Sequence, residues 1–271
     1  MRDVLLHSIK TAIEAGQIIN TVYHTNFEVS TKADNTPVTI ADKLSSRHII
    51  EKLSSFELPI ISEEEKNISD EEMQSIDTYF IIDPLDGTRE FIKKNGEFTI
   101  NIALIENREP ILGVVYAPAI SLLYFGMKHF GSYKISDTDV QKLIFHPEYS
   151  LEEILELSDK LPIYNLPNVY TIITSRSHLD DKTIKYIDDK RKDHGIIEYI
   201  RMGSSIKMCL LAEGKAHEYP RFGRTMEWDT AAAHAILKEA GGNLLEFKTL
   251  QPLQYHKKNF ENPDFIAYAV Y

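Results

Sequence analysis

The apolar run Tyr79-Phe80-Ile81-Ile82 passes without a break into Asp83-Pro84-Leu85-Asp86-Gly87-Thr88. The run predicts a buried strand ending at Asp83, so the carboxylates that follow emerge where the core meets a cleft. Pro84 lacks an N–H and has a fixed φ, which turns the chain. Gly87 can take a positive φ and lets a ligand approach the backbone. The turn can therefore aim Asp83 and Asp86 into one small volume, where two carboxylates repel unless a cation lies between them. Hard oxygen ligands of this kind favour Mg2+ over zinc or copper, and the Thr88 hydroxyl is placed to orient a water. The same residues also suit an Asp-rich turn closed by Asx hydrogen bonds, and the segment alone does not decide.

Two further segments carry acids at element ends. Trp228-Asp229-Thr230-Ala231-Ala232-Ala233-His234 runs on to Gly241-Gly242. It reads as a helix over Asp229–Ala240 with an acid in its first turn, small residues for close packing and glycines at its end. Ile61-Ser62-Glu63-Glu64 places carboxylates at the end of the apolar segment Leu58–Ser62; such a group is either solvated surface or a metal ligand.

Composition narrows the partners. The chain has 271 residues, 30 basic and 41 acidic side chains and a net charge of -11. That surface repels nucleic acid polymers and anionic membranes, but a metal ion can reverse the local field for a small anionic substrate. A single cysteine, Cys209, rules out an intramolecular disulfide and suits a reducing compartment. It sits in an apolar run and is expected in the core. The opening segment, broken by His7, Lys10 and Glu14, is an amphipathic helix rather than a signal peptide. No apolar run approaches the roughly 20 residues that span a bilayer. The expectation is a cytoplasmic protein, with weak peripheral contact at the inner membrane left open, as is the oligomeric state.

The remaining pattern predicts a helix over Ile40–Leu53 opened by Thr39 or a neighbour, and strands over 98–105, 111–116, 122–125 and 131–135. Periodicity fades between Ser136 and Leu166, which sets an expected boundary between a lobe of residues 1–135 and one of 136–271. The second half alternates strands (169–174, 196–200, 217–219) with helices (180–190, 204–212, 229–240), which argues for helices packed on sheets.

Taken together, the Glu63-Glu64 loop, Asp83–Thr88 and the Trp228-Asp229 helix resemble the inositol monophosphatase superfamily. A closer resemblance, to its CysQ branch of 3'(2'),5'-bisphosphate nucleotidases, runs along almost the whole chain. It is carried by Lys32–Thr39 with Asp42, Asp83–Pro118, Ser175-Arg176-Ser177-His178, Gly203-Ser204-Ser205-Ile206-Lys207 and Tyr219-Pro220-Arg221-Phe222-Gly223. The resemblance implies an α/β fold layered as an αβαβα sandwich, and conversion of adenosine 3',5'-bisphosphate to AMP and phosphate; the 5'-phosphosulfate analogue as a further substrate is left open. It implies a first Mg2+ on Glu63, Asp83 and the Leu85 carbonyl, and a second on Asp83, Asp86 and Asp229. A weaker third ion on Asp42 and Glu63, through waters, is left open. Glu63, Thr88 and Asp83 would carry catalysis. The substrate contacts implied are Glu63, Leu85, Asp86, Gly87, Thr88, Asp229, His178, Ser204, Lys207 and Arg221. Lithium inhibition is expected with it.

Milder readings stand beside these. Lys207, Arg221 and His178 also suit surface or loop positions, and His234, inside a helix, suits a packed core. Glu227, just before Trp228, is a departure whose effect on the pocket the sequence leaves open. The alternatives to a bisphosphate nucleotidase are an inositol or sugar phosphate phosphatase of the same fold and, more remotely, a non-catalytic sensor of nucleotide and Mg2+.

Overall fold

The computed structural model describes residues 1–31, 37–65, 70–73, 75–176 and 180–269. Two sheets alternate with three layers of helix, as the αβαβα expectation requires. The first sheet has seven strands in the order Ile60–Ser62, Thr78–Asp86, Thr99–Glu106, Glu109–Ala117, Leu122–Met127, Gly131–Ser136 and Asp159–Lys160. Its first pair is parallel and the rest antiparallel. The second has five, in the order Ile197–Met202, Tyr170–Ser175, Glu218–Arg221, Phe265–Tyr268 and Asn243–Glu246. The helices Arg2–Tyr23 and Ile40–Leu53 cover one face of the first sheet. The helices Ile206–Ala212 and Glu227–Glu239 lie between the sheets, and Asp181–His194 lies outside the second.

Two apolar clusters follow from this layering. One joins Leu5, Ile9 and Ile49 of the outer helices to Phe80, Ile82 and Ile102 of the first sheet. The other joins Tyr79, Ile81 and Ala103, on the opposite face of the same strands, to the middle helices and the second sheet. Alternate residues of the Tyr79–Ile82 run thus enter different cores, which is why the run is apolar throughout rather than alternating.

The helix Ile40–Leu53 begins where expected. Thr39 caps it, and Asp42 closes a capping box by accepting the Thr39 N–H at 2.7 Å. The helix Glu227–Glu239 lies close against the first sheet because its facing residues are Ala231, Ala232 and Ala233. A Cβ at Gly113 would fall 2.1 Å from the Ala232 carbonyl oxygen. Gly113→Ala is therefore expected to cost about 3 kcal/mol, as overpacking of a tight contact does, and to shift the helix that carries Asp229. Calorimetric Tm together with turnover checks this.

Several elements differ from the expectation. The strand expected to end at Asp83 continues to Asp86: Asp83 pairs with Asn101, and after a register shift Asp86 pairs with Thr99. Pro84 sits inside this bulge, where a missing N–H is tolerated. The helix expected from Ser204 starts at Ile206, because Ser204 has a left-handed backbone, φ 50°. The stretch Ser136–Leu166 contains the helices Thr138–Phe145 and Leu151–Glu156. Each buries only two side chains, Val140 with Leu143 and Leu151 with Ile154, too few to give a visible period. Cys209 is buried. So is His234, whose Nδ1 lies 3.0 Å from the Tyr255 hydroxyl and whose imidazole burial holds neutral, its pKa lowered to about 3.

Candidate active site

Three carboxylates meet where the first sheet faces the middle helices. Asp83 and Asp86 flank the bulge, and Asp229 stands in the first turn of the helix Glu227–Glu239. Their nearest oxygens all lie within 4.8 Å of one another. Each is fixed by backbone. Asp83 Oδ1 accepts the Leu85 N–H at 3.0 Å, Asp86 Oδ2 accepts the Ser205 N–H at 2.7 Å, and Asp229 Oδ2 accepts the Met226 N–H at 2.8 Å. The bulge explains the first two. By letting the strand continue past Pro84, it turns both acids toward the same side of the sheet edge.

Burial, then repulsion from Glu63, Asp86 and Asp229, pushes the Asp83 carboxyl well above the usual carboxylate range. Burial and the Asp86 and Glu63 charges do the same to Asp229. Asp86 is pushed up to about 6, burial outweighing the opposing pull of Lys207. Glu63 follows the neighbouring strand Ile60–Ser62. Its charge bears on all three aspartates, and it is hydrogen-bonded to Asp83. The donor set is entirely oxygen, crowded and held in place, which fits a hard divalent cation.

Asp42 is not brought into this group. Its Oδ2 caps the helix Ile40–Leu53, and its Oδ1 accepts the Thr88 hydroxyl at 3.1 Å. Thr88 opens a short helix behind Gly87, whose φ of 89° is open to glycine but costly for other residues. The Leu85 carbonyl lies 3.4 Å from the Thr88 hydroxyl.

Glu63, Asp83, Leu85, Asp86, Gly87, Thr88 and Asp229, though not Asp42, border one cavity of about 760 Å³. Its far wall belongs to the second sheet and the turn before the helix Ile206–Ala212. Lys207 is 8% exposed. Its Nζ donates to the Ser204 carbonyl at 2.5 Å and lies 5.4 Å from the Tyr219 ring centroid. Burial draws its pKa down to about 8, against the Asp86 charge. Arg221 ends the strand Glu218–Arg221. One terminal nitrogen donates to the Arg224 carbonyl at 3.2 Å, while its buried Nε has no hydrogen-bond partner among the described residues. Ser204 lines the same cavity, on its left-handed backbone. The cavity lining thus carries an acidic pole, Asp83, Asp86, Asp229 and Glu63, and a basic pole, Lys207 and Arg221, whose charges act on Asp86 and Asp229. His178, with the segment Lys32–Thr36 of the matching pattern, lies outside the described residues.

Glu227 does not face the cavity. It is fully buried on the opposite side of its helix, accepting the N–H groups of His256 and Lys257 at 2.9 and 2.8 Å and pairing with the Lys257 ammonium at 2.7 Å. It anchors the chain that supports the helix start. Ser205, by contrast, was not singled out from the sequence, yet its N–H holds Asp86. The signal for it was the Gly-Ser-Ser turn itself.

Residues 1–265 match the sequence model of the inositol monophosphatase family. A protein of Buchnera aphidicola named 3'(2'),5'-bisphosphate nucleotidase CysQ is 41% identical, with 99% of this chain and 95% of that protein aligned. The protein of the same name from Shigella flexneri is 38% identical over 94% and 95% of the two chains. The crystal structure of CysQ from Bacteroides thetaiotaomicron superposes with a TM-score of 0.88 at 40% identity, covering 99% of this chain and 98% of that one.

Proposed function

The chain belongs to the inositol monophosphatase family, and from that premise we propose that it is a Mg2+-dependent 3'(2'),5'-bisphosphate nucleotidase. In this reading it hydrolyses the 3'-phosphate of adenosine 3',5'-bisphosphate to AMP and phosphate, and takes the 5'-phosphosulfate analogue as a second substrate. The observation that carries the reading is the polarity of the cavity. Asp83, Asp86, Asp229 and Glu63 line it together with the cations Lys207 and Arg221, so a molecule with two phosphates can meet both kinds of group. The names of the CysQ relatives point to the same substrate class.

Asp83, Asp86 and Asp229, with Glu63 and the Leu85 carbonyl, would hold two Mg2+ ions. Bound there, the metal supplies charge neutralisation for the phosphoryl group and a more acidic water. The chain's own groups do the rest. Thr88 spends its one hydroxyl proton on Asp42, so its oxygen is left as an acceptor that orients the attacking water. Glu63 takes the proton. The water oxygen bonds to phosphorus in line with the departing ribose oxygen, the P–O(3') bond breaks, and the proton ends on that oxygen. Asp42 acts here by fixing Thr88. Arg221 orients the rest of the substrate, while Lys207 offsets the Asp86 charge and holds the Ser204 carbonyl. No described helix is long and apolar enough to cross a membrane.

Phosphate release from adenosine 3',5'-bisphosphate, inositol phosphate and fructose bisphosphate, assayed side by side with Mg2+, tests this. Preference for the nucleotide by tenfold or more is expected. Preference for inositol or sugar phosphate would replace the reading with another phosphatase of the same fold, and tight nucleotide binding without turnover would make the protein a sensor. Lithium chloride is expected to inhibit, with a potency that changes with Mg2+ concentration, because Li+ competes for oxygen sites of this kind with half the charge. Full activity in lithium chloride against matched sodium chloride would count against that expectation.

A further inference from the structure

Asn95-Gly96-Glu97-Phe98 and Ser175-Arg176, two segments to which the chemistry above gives no role, meet at the rim of the cavity. Glu97 precedes the first-sheet strand Thr99–Glu106; Arg176 follows the second-sheet strand Tyr170–Ser175. Glu97 Oε2 accepts Arg176 Nε at 2.7 Å and Oε1 accepts a terminal guanidinium nitrogen at 2.6 Å, a bidentate pair. The same Oε2 accepts the Gly203 N–H at 2.8 Å. The Glu97 side chain is 13% exposed and that of Arg176 45%, so the acid is the anchored partner. The two chains press together: a Cβ at Gly203 would lie 2.8 Å from the Glu97 carbonyl oxygen and 2.9 Å from Glu90 Cγ.

What this pins is the turn Gly203–Ser205. Ser204 holds a left-handed backbone, a conformation that persists in a non-glycine residue only where its surroundings fix it. Ser205 sends its N–H to Asp86 at 2.7 Å and its hydroxyl to Asn101 at 2.7 Å. The Ser204 carbonyl receives Lys207 at 2.5 Å. One turn therefore touches the acidic pole through Ser205 and the basic pole through Ser204 and Lys207, and Glu97 is its attachment at the Gly203 end.

We propose that Glu97 is a positioning residue: by holding the Gly203 N–H, with Arg176 keeping its carboxylate in register, it sets the turn that aligns the substrate-binding side of the cavity with Asp86. The effect on substrate rests on the function proposed above; the effect on the turn does not. A lost hydrogen bond to a charged acceptor corresponds to roughly tenfold. Glu97→Ala is therefore expected to raise KM for adenosine 3',5'-bisphosphate about tenfold, with kcat within about threefold. It should also speed amide hydrogen exchange about tenfold in the peptide covering 203–205, with Tm changed by only a few degrees. Arg176→Ala leaves Gly203 its acceptor and should be milder in both readouts. The charge swap Glu97→Arg with Arg176→Glu restores an ion pair but gives Gly203 no acceptor, so it should not rescue. Unchanged exchange at 203–205 in Glu97→Ala overturns the proposal. So does rescue by the swap, or a large fall in Tm with exchange rising evenly along the chain, which would mark a general scaffold contact. If wild type ignores the bisphosphate, the function proposed above fails by itself; KM on whichever panel substrate it hydrolyses, with the exchange data, still decides the role of Glu97.

Discussion

Asp229→Asn is expected to lower turnover at least about a thousandfold while making the protein harder to unfold in EDTA. The two effects share one cause. Asp229, Asp86 and Asp83 lie within 4.8 Å of one another, and burial together with the Asp86 and Glu63 charges raises the Asp229 pKa. A buried carboxylate with a raised pKa binds its proton more tightly folded than unfolded. The fold is thus most stable, as far as this group is concerned, below the unfolded pKa, and loses that contribution as pH rises through the folded one. Asparagine keeps an oxygen for the Met226 N–H and removes the charge. Asp86→Asn should behave likewise. Its distance from 3.8 to about 6 corresponds to about 3 kcal/mol of strain at pH 7, relieved by the substitution, with the gain fading below about pH 4. What stability gains, catalysis loses, because neutralisation of a developing phosphoryl charge is a large part of such a barrier. Mg2+ should raise the Tm of wild type more than that of either variant. Near-normal turnover at moderate Mg2+, or a fall in the EDTA Tm at pH 7, would remove these residues from the metal-binding role.

How much of this was legible depended on how local each cause was. The helix Ile40–Leu53 was readable to the residue because Thr39 and Asp42 cap it from within four positions. The strand through Tyr79–Ile82 was readable because both of its faces are buried. Its extension to Asp86 was not: the bulge exists because Thr99 and Asn101, on the next strand, pair on either side of it. Ser204 was misplaced into a helix for a similar reason. Sequence spacing favours a helix there, but Asp86 and Glu97, both on or next to neighbouring strands of the first sheet, hold the turn that precedes it. The strand Phe265–Tyr268, set between Glu218–Arg221 and Asn243–Glu246, is four residues long, and its place is set by neighbours far away in sequence. The three aspartates could be grouped from motifs. That Asp42 is occupied in holding Thr88, and that Glu227 faces away from the cavity, required the packed structure.

Arg221→Ala is expected to cut kcat/KM for adenosine 3',5'-bisphosphate by about ten- to a hundredfold while changing 3'-AMP hydrolysis much less. Among the described residues the guanidinium has one weak backbone acceptor, the Arg224 carbonyl at 3.2 Å, and a buried Nε with none. A buried donor without an acceptor is costly, and a phosphate oxygen is the natural acceptor for a planar fork. One charged hydrogen bond is worth roughly 1.5–3 kcal/mol, which sets the expected range. Lys207 should behave differently, although both residues stand at the basic pole. Its Nζ is committed to the Ser204 carbonyl, and it offsets the Asp86 charge. Lys207→Ala therefore unbalances Asp86 as well as the far wall, and should reduce turnover of both substrates. The comparison needs only kcat and KM for the two nucleotides in each variant at one Mg2+ concentration. Equal losses for Arg221→Ala on both substrates would place the guanidinium at the reacting phosphate. A selective loss for Lys207→Ala would mean that its ammonium serves the second phosphate and that Asp86 does not depend on it.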